Sequence, residues 1–309
     1  MDMNTNEYID NVAAKLNPKA LECLNNVSAI TKQLNSFIDG NLEISNKGIK
    51  ERLDYLIGYL TITLDLPIPP GLHIIRARKF EEGKDKEPCF EKVSELLYPP
   101  ADYASLGRCN KKGESIFYAC VCVDESTCRS NVAFSEVNAL EGERINLLKS
   151  KFTETINLRY VGIWNHVVRI AKPYFLGDYQ WKYYIDAYKY MERKFDKDLL
   201  GAYYLCDAFF ANILRRKGSE RLYKVTSRLM AMYLESGKAD GILYTSVKSE
   251  GSPVVALLSK AADAKLVHIS TESCEVLKNY GYAQYSTKIL YIGTIAESNG
   301  CINWVNQNE

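Results

Sequence analysis

The sequence is poor in histidine and carries almost no excess of charge of either sign. Its 309 residues include 3 histidines, 39 lysines and arginines, and 38 aspartates and glutamates, which gives a formal net charge of +1. The histidines share no short motif with cysteine or carboxylate residues, so no metal site is expected. The balanced charge argues against the broad basic surface of a nucleic-acid-binding protein. No apolar run approaches the length of a transmembrane helix, and no membrane association is expected.

The cysteines also lack a metal-binding pattern. Cys120 and Cys122 are separated by one residue, and no second pair has the spacing of a zinc ribbon. The number of cysteines, 9, is odd, and no secretory signal is recognisable. We therefore expect reduced thiols and a cytoplasmic protein.

The composition is that of a globular protein with one large domain or two ordinary ones, at 47% hydrophobic and 25% charged residues. Residues 1–66 are predicted to form a helical N-terminal segment, which the proline-rich string 66–71 ends. Residues 67–309 are predicted to form a second domain that carries a helical insertion at about 165–235. Its strands and helices together predict an α+β fold with a mixed or antiparallel β core.

Hydrophobic periodicity places the individual elements. Helices are predicted at 21–34, 46–63, 136–148, 179–217 and 221–234. Strands are predicted at 73–78, 115–121, 158–164, 242–246, 254–258, 266–269 and 288–292.

The stretch 107–136 carries the residues with the clearest chemistry. Arg108 lies in a loop, and its planar guanidinium matches phosphate oxygens. A turn at 111–113 can add amide donors. Tyr118, on a buried strand, offers a ring for stacking, and Glu136, on the next helix, can hold a ribose hydroxyl or stabilise positive charge on a sugar. Each also fits a structural role: a loop ion pair, a core tyrosine and a solvated helix charge.

Two further positions complete the set of candidates. Arg76 and Arg78 are two residues apart, so on a strand they share one face and repel each other unless an anion or carboxylates meet them. They also fit solvated charges on an edge strand. Ser246 ends a buried strand, where its hydroxyl can either bind a ligand or bond to backbone.

The order of these motifs resembles the RES domain family, which is named for arginine, glutamate and serine. The resemblance covers about residues 72–295. The strings that carry it are Arg76-Ala77-Arg78, Tyr98-Pro99-Pro100, Gly107-Arg108-Cys109-Asn110 with Gly113, Phe117-Tyr118, Glu136, and Asp240-Gly241-Ile242-Leu243-Tyr244-Thr245-Ser246.

The resemblance implies a fold similar to ADP-ribosyltransferases and an enzyme that consumes NAD as its substrate, with no separate cofactor. Typical members are bacterial toxins that cleave the nicotinamide–ribose bond by hydrolysis or phosphorolysis and are neutralised by a helix-turn-helix antitoxin. A growth-inhibiting toxin or defence effector is therefore expected. The residues implied in catalysis are Glu136, Arg108 and Tyr118. Those implied in NAD binding are Arg76, Arg108, Tyr118 and Ser246, with Arg78 in second rank.

Some features depart from the compact family pattern. The interval between Tyr118 and Glu136 is long, which leaves Glu125 and Glu141 as alternative carboxylates. The asparagine expected after the serine block is replaced near Ser252. The N-terminal helices and the insertion suit binding of an antitoxin, sensing of a trigger or homo-oligomerisation. Two other functions stay open: ADP-ribosyl transfer to a protein acceptor, and binding of a nucleotide or partner without turnover.

Overall fold

The computed structural model of the protein describes residues 3–61, 65–83, 85, 89–122, 130–235, 237–246, 252–296 and 299–307. Within these ranges the helices are α1 (Met3–Leu16), α2 (Ala20–Ile38), α3 (Asn46–Leu60), α4 (Ser130–Glu136), α5 (Ile163–Val168), α6 (Asp178–Lys194), α7 (Lys197–Arg215), α8 (Glu220–Leu234) and α9 (Ser259–Lys265). The strands are β1 (Asp65–Ile68), β2 (His73–Lys79), β3 (Ile116–Cys122), β4 (Arg144–Phe152), β5 (Ile156–Tyr160), β6 (Gly241–Thr245), β7 (Pro253–Leu258), β8 (Leu266–Gly281), β9 (Gln284–Ile295) and β10 (Ile302–Asn306).

The strands form one sheet in the order β1-β5-β6-β7-β3-β2-β4-β8-β9-β10. Pairing is antiparallel from β6 through β7, β3, β2, β4, β8 and β9 to β10. The chain thus combines helices with a mostly antiparallel sheet. This confirms the predicted mixture of helices with a mixed or antiparallel β core.

Two compact units divide the chain. The helical unit comprises Met1–Leu66, Leu106–Lys111 and Arg159–Glu235, and the sheet unit comprises Pro67–Ser105, Lys112–Leu158 and Ser236–Glu309. In the helical unit, α2 packs along α7. Apolar residues at helical spacing, such as Val27 and Leu34 of α2 and Phe210 of α7, are buried there.

The prediction of a helix through 136–148 is wrong. Helix α4 ends at Glu136, and β4 begins at Arg144. Because β4 pairs with β2 on one side and β8 on the other, most of its side chains are buried on both faces of the sheet. A continuous apolar run of this kind does not distinguish a central strand from a buried helix. The strand predicted at 158–164 also ends early, at Tyr160, and α5 follows from Ile163.

Besides β4, two further strands were not predicted. The proline-rich string 66–71, which was expected only to end helical order, overlaps β1, which carries Pro67. Since β1 lies at one end of the sheet order, a proline there is compatible with strand pairing. At the other end lies β10, a strand of only 5 residues.

Most of the described cysteines are thiols, as expected. The free cysteines are Cys23, Cys89, Cys109, Cys120, Cys206, Cys274 and Cys301. Cys122, at the end of β3, is disulfide-bonded, which differs from the expected fully reduced set. In the described ranges, no helix has both the length and the apolar composition needed to span a bilayer.

Asp207 is a buried carboxylate in the helical unit. Its Oδ1 accepts the N–H of Gly162 at 3.0 Å, and its Oδ2 accepts the N–H of Trp164 at 3.2 Å, so it satisfies donors at the start of α5. Burial raises the pKa of Asp207 to about 7, although the N–H groups of Gly162, Trp164 and Asn165 oppose the rise. The folded chain therefore holds this proton more tightly than the unfolded chain does.

We expect the free energy of unfolding to include a contribution from Asp207 that is complete below about pH 4 and is lost as the pH rises to about 7. The rise in the pKa of Asp207 from 3.8 to about 7 corresponds to about 4 kcal/mol in the free energy of unfolding. Asp207→Asn removes this titration, so its stability relative to wild type rises over that pH range. Urea unfolding of both proteins at pH 4.5, 6 and 7.5 measures the effect. Asp198→Asn, in the same helix but partly exposed, is the control; parallel pH profiles for wild type and Asp207→Asn would contradict the expectation.

Candidate functional site

The pairing between β2 and β3 is unusually short. It joins His73, Ile74 and Ile75 to Cys122, Val121 and Cys120. Beyond these residues β2 continues along β4 to Lys79, and β3 continues along β7 to Ile116. The facing edges Arg76–Lys79 and Ile116–Ala119 share no ladder pairs within the described structure. We call this opening in the sheet the fork.

Arg76 occupies the fork. Its Nη1 donates to the carbonyl of Tyr118 at 2.9 Å, and its Nε donates to the carbonyl of Leu96 at 2.9 Å. The guanidinium lies 5.4 Å from the ring centroid of Phe117. Burial, together with the charge of Arg78, lowers the pKa of Arg76 to about 10. Arg76 therefore stays positively charged at neutral pH in a largely apolar setting.

Arg78 has a carboxylate partner. Its Nη2 lies 3.7 Å from Asp85, and its Nη1 donates to the carbonyl of Glu95. Its guanidinium stacks 4.5 Å from the ring centroid of Phe90. Arg78 is therefore held over the segment that follows Phe90, with part of its charge compensated.

Strand alternation places Arg76 and Tyr118 on opposite faces of the sheet. Ile75 pairs with Cys120, and paired residues of antiparallel strands share a face. Tyr118 lies on the face of Cys120, because side chains alternate along a strand, whereas Arg76 lies on the face of Phe117. We call these the glutamate face and the arginine face, since Glu136 lies on the former.

The glutamate face also receives Ser246. Cys120 pairs with Val254, and Val254 pairs with Tyr244, so these three residues share a face. Ser246 comes two residues after Tyr244 and is buried, and its Oγ donates to Glu136 Oε1. The N–H of Ser246 is fixed separately, by the carbonyl of Ser252 at 2.8 Å.

Glu136 is the last residue of α4, a short helix that packs on β2, β3 and β4. Burial, and secondly the charge of Glu136, raise the pKa of the Cys120 thiol well above its ordinary value. The Glu136 carboxylate is thus close enough to influence the Cys120 thiol, and it is bound to a buried hydroxyl. Such a group offers a positioned negative charge to any cation that forms beside it.

Arg108 belongs to the helical unit, where it contacts the end of α7. Its Nη1 donates to the carbonyl of Leu214 at 2.7 Å, and its Nη2 donates to the carbonyl of Arg216 at 2.8 Å. The guanidinium lies 5.8 Å from the ring centroid of Tyr223. Carbonyls at a helix C-terminus carry partial negative charge and lack partners within the helix. Arg108 therefore acts here as a helix cap, and its donors point at carbonyls.

The predicted turn at 111–113 is present, with Gly113 at φ 85°, a conformation that favours glycine. The N–H of Gly113 donates to the carbonyl of Ala104 at 2.9 Å. That amide is consequently engaged by a carbonyl that lies outside the turn.

The two alternative carboxylates have different positions. Glu125 lies outside the described residues. Glu141 Oε1 accepts the N–H of Asn279 at 3.1 Å, which ties it to the β8–β9 hairpin. Of the described candidates, Glu136 is the one bonded to Ser246.

The structure thus brings Glu136 and Ser246 into contact and places Tyr118 on their face. It places Arg76 in the fork and Arg78 on the arginine face. Sequence reasoning missed Cys120 as a neighbour of Glu136 and missed the carbonyl partners of Arg108. The spacing of Cys120 two residues after Tyr118 was the one available signal for the former.

Among the described residues, no group of three histidine, cysteine, aspartate or glutamate side chains could hold a metal ion. No protein-family model matches the chain, and comparison with curated proteins finds no significant match. Function is therefore inferred from the residues of the site.

We expect Arg108→Ala to lower the free energy of unfolding by about 2 kcal/mol, because it leaves carbonyls at the end of α7 without their charged donor. Arg108→Lys should restore part of this loss, since it keeps the charge but not the planar fork of donors. Urea unfolding measures both. Arg215→Ala, an exposed arginine in the last turn of α7, is the matched control. Wild-type stability in Arg108→Ala would contradict the capping role.

Proposed function

We propose that the chain is an NAD-consuming enzyme of the RES type, with an ADP-ribosyltransferase-like sheet, that cleaves the bond between nicotinamide and ribose. The observation that supports this best is the hydrogen bond from Ser246 to Glu136 on the face that also carries Tyr118. The bond joins two predicted site residues that are distant in sequence, and a third, Tyr118, lies on the same face. A shared site explains the meeting of a carboxylate, a buried hydroxyl and a tyrosine on one face more simply than chance does.

The chemistry needs little beyond a fixed carboxylate. Nicotinamide leaves with the electron pair of the N-glycosidic bond, and the ribose approaches an oxocarbenium ion. Glu136 stabilises that positive charge, while Ser246 holds the carboxylate in place. Water or phosphate then adds to the anomeric carbon and loses a proton. Tyr118 would stack against the substrate from the same face.

The remaining predicted residues take different parts in this proposal. Arg76 supplies the positive charge for the pyrophosphate, because Nε and Nη1 donate to carbonyls while Nη2 has no hydrogen-bond partner among the described residues. In this proposal Arg108 caps α7 and has no assigned part in the cleavage. By the family resemblance, the enzyme is a cytoplasmic toxin or defence effector, and a helix-turn-helix antitoxin restrains it.

We expect Glu136→Gln to reduce NAD consumption by about 10²-fold or more, because the neutral amide cannot stabilise the cationic transition state. Ser246→Ala should reduce the rate by about tenfold, since the carboxylate loses its charge-assisted bond. Loss of NAD and release of nicotinamide by the purified protein are the measurements.

Glu141→Gln is the comparison variant for that experiment. It removes a carboxylate of the same type whose bond is to Asn279. Wild-type turnover in Glu136→Gln would refute the proposal, and a selective loss in Glu141→Gln would transfer the role to Glu141. Repeating the assay with and without phosphate separates phosphorolysis from hydrolysis. Added mass on a protein in a cell lysate would indicate ADP-ribosyl transfer instead.

A further inference from the structure

A row of polar side chains crosses the arginine face next to the two arginines. In this row Arg78 pairs with Asn146 of β4, and Asn146 pairs with Ser273 of β8. In the adjacent row Leu148 pairs with Thr271. Since paired residues share a face, Asn146, Ser273 and Thr271 all lie on the side of the sheet where Arg78 lies. We call these three residues the polar row, although Thr271 belongs to the neighbouring row of paired residues.

All three side chains of the polar row are fully buried. Their side-chain polar atoms, including both the oxygen and the nitrogen of the Asn146 amide, have no hydrogen-bond partner in the part of the chain that the structure describes. A buried donor or acceptor left unpaired costs about 1–3 kcal/mol. Four such atoms within two neighbouring rows are a large cost unless a ligand meets them.

The two arginines give the arginine face a net positive charge beside the polar row. Arg78 is countered by Asp85 at 3.7 Å, whereas Arg76 has no carboxylate partner among the described residues. Above the row lies an apolar cluster that contains Phe80, Phe90 and Leu148. An apolar surrounding strengthens the attraction between a cation and an anion because it lowers the local dielectric constant.

We propose that the polar row, together with Arg78, binds a phosphate-sized oxyanion. The amide N–H groups of Asn146 and the hydroxyls of Thr271 and Ser273 supply neutral donors, and Arg78 supplies charge. The Asn146 carbonyl oxygen, an acceptor, suits the O–H of hydrogen phosphate. The site lies on the opposite face of the sheet from Glu136 and does not include Arg76, so it is distinct from the proposed cleavage site.

The test is calorimetric titration of the full-length chain with inorganic phosphate at constant ionic strength, using chloride for balance. We expect saturable binding to wild type. Affinity should fall at least tenfold in the double variant Thr271→Val, Ser273→Ala, which removes both hydroxyls and keeps nearly the same shape. Glu136→Gln, on the other face, should bind phosphate as wild type does, whatever its activity on NAD.

Three results would overturn the proposal. They are the absence of binding to wild type, unchanged affinity in the double variant, and loss of binding in Glu136→Gln. Thermal unfolding without phosphate is the check on folding, because apolar replacements of unpaired buried hydroxyls are expected to leave the midpoint equal or higher. If the double variant does not fold, Ser273→Ala alone is titrated and judged by the same criterion.

Discussion

The hydrogen bond from Arg76 to the carbonyl of Tyr118 occupies the place where a strand ladder would otherwise continue. The ladder between β2 and β3 stops at Ile75 and Cys120. From there a guanidinium, and not a backbone amide, meets the carbonyl of β3. A buried positive charge in the middle of a sheet is costly unless acceptors or anions surround it. Two carbonyls, of Leu96 and Tyr118, accept hydrogen bonds from this charge. The polar residues of both sheet faces lie on either side of it.

Strand alternation then separates the polar residues into two groups. Glu136, Ser246 and Tyr118 lie on one face, and Arg76 and Arg78 lie on the other, with only the fork between them. A substrate that needs both a carboxylate and an arginine must therefore reach through the fork. An anion that needs only arginine and neutral donors finds them on the arginine face alone. The proposed cleavage site and the proposed oxyanion site therefore lie on different faces of the sheet.

Arg108 has a side chain whose donors suit two kinds of acceptor. Its planar donors fit phosphate oxygens, and they fit equally well the carbonyls that end a helix, because both present closely spaced oxygens with negative charge. The motif around Arg108 predicts a guanidinium with a partner, but it does not identify that partner. In the structure the partners are the carbonyls of Leu214 and Arg216, more than one hundred residues away.

Local periodicity by itself determined helices α2, α3, α6, α7 and α8, the shared face of Arg76 and Arg78, and the strand that ends at Ser246. These features depend on neighbours in sequence, which propensity and spacing describe. Only the tertiary structure decided that β4 is a strand, that Ser246 meets Glu136, and that Tyr118 and Arg76 lie on opposite faces. Each of these is set by pairing between distant segments, and the register of such a pairing is not encoded in either segment alone.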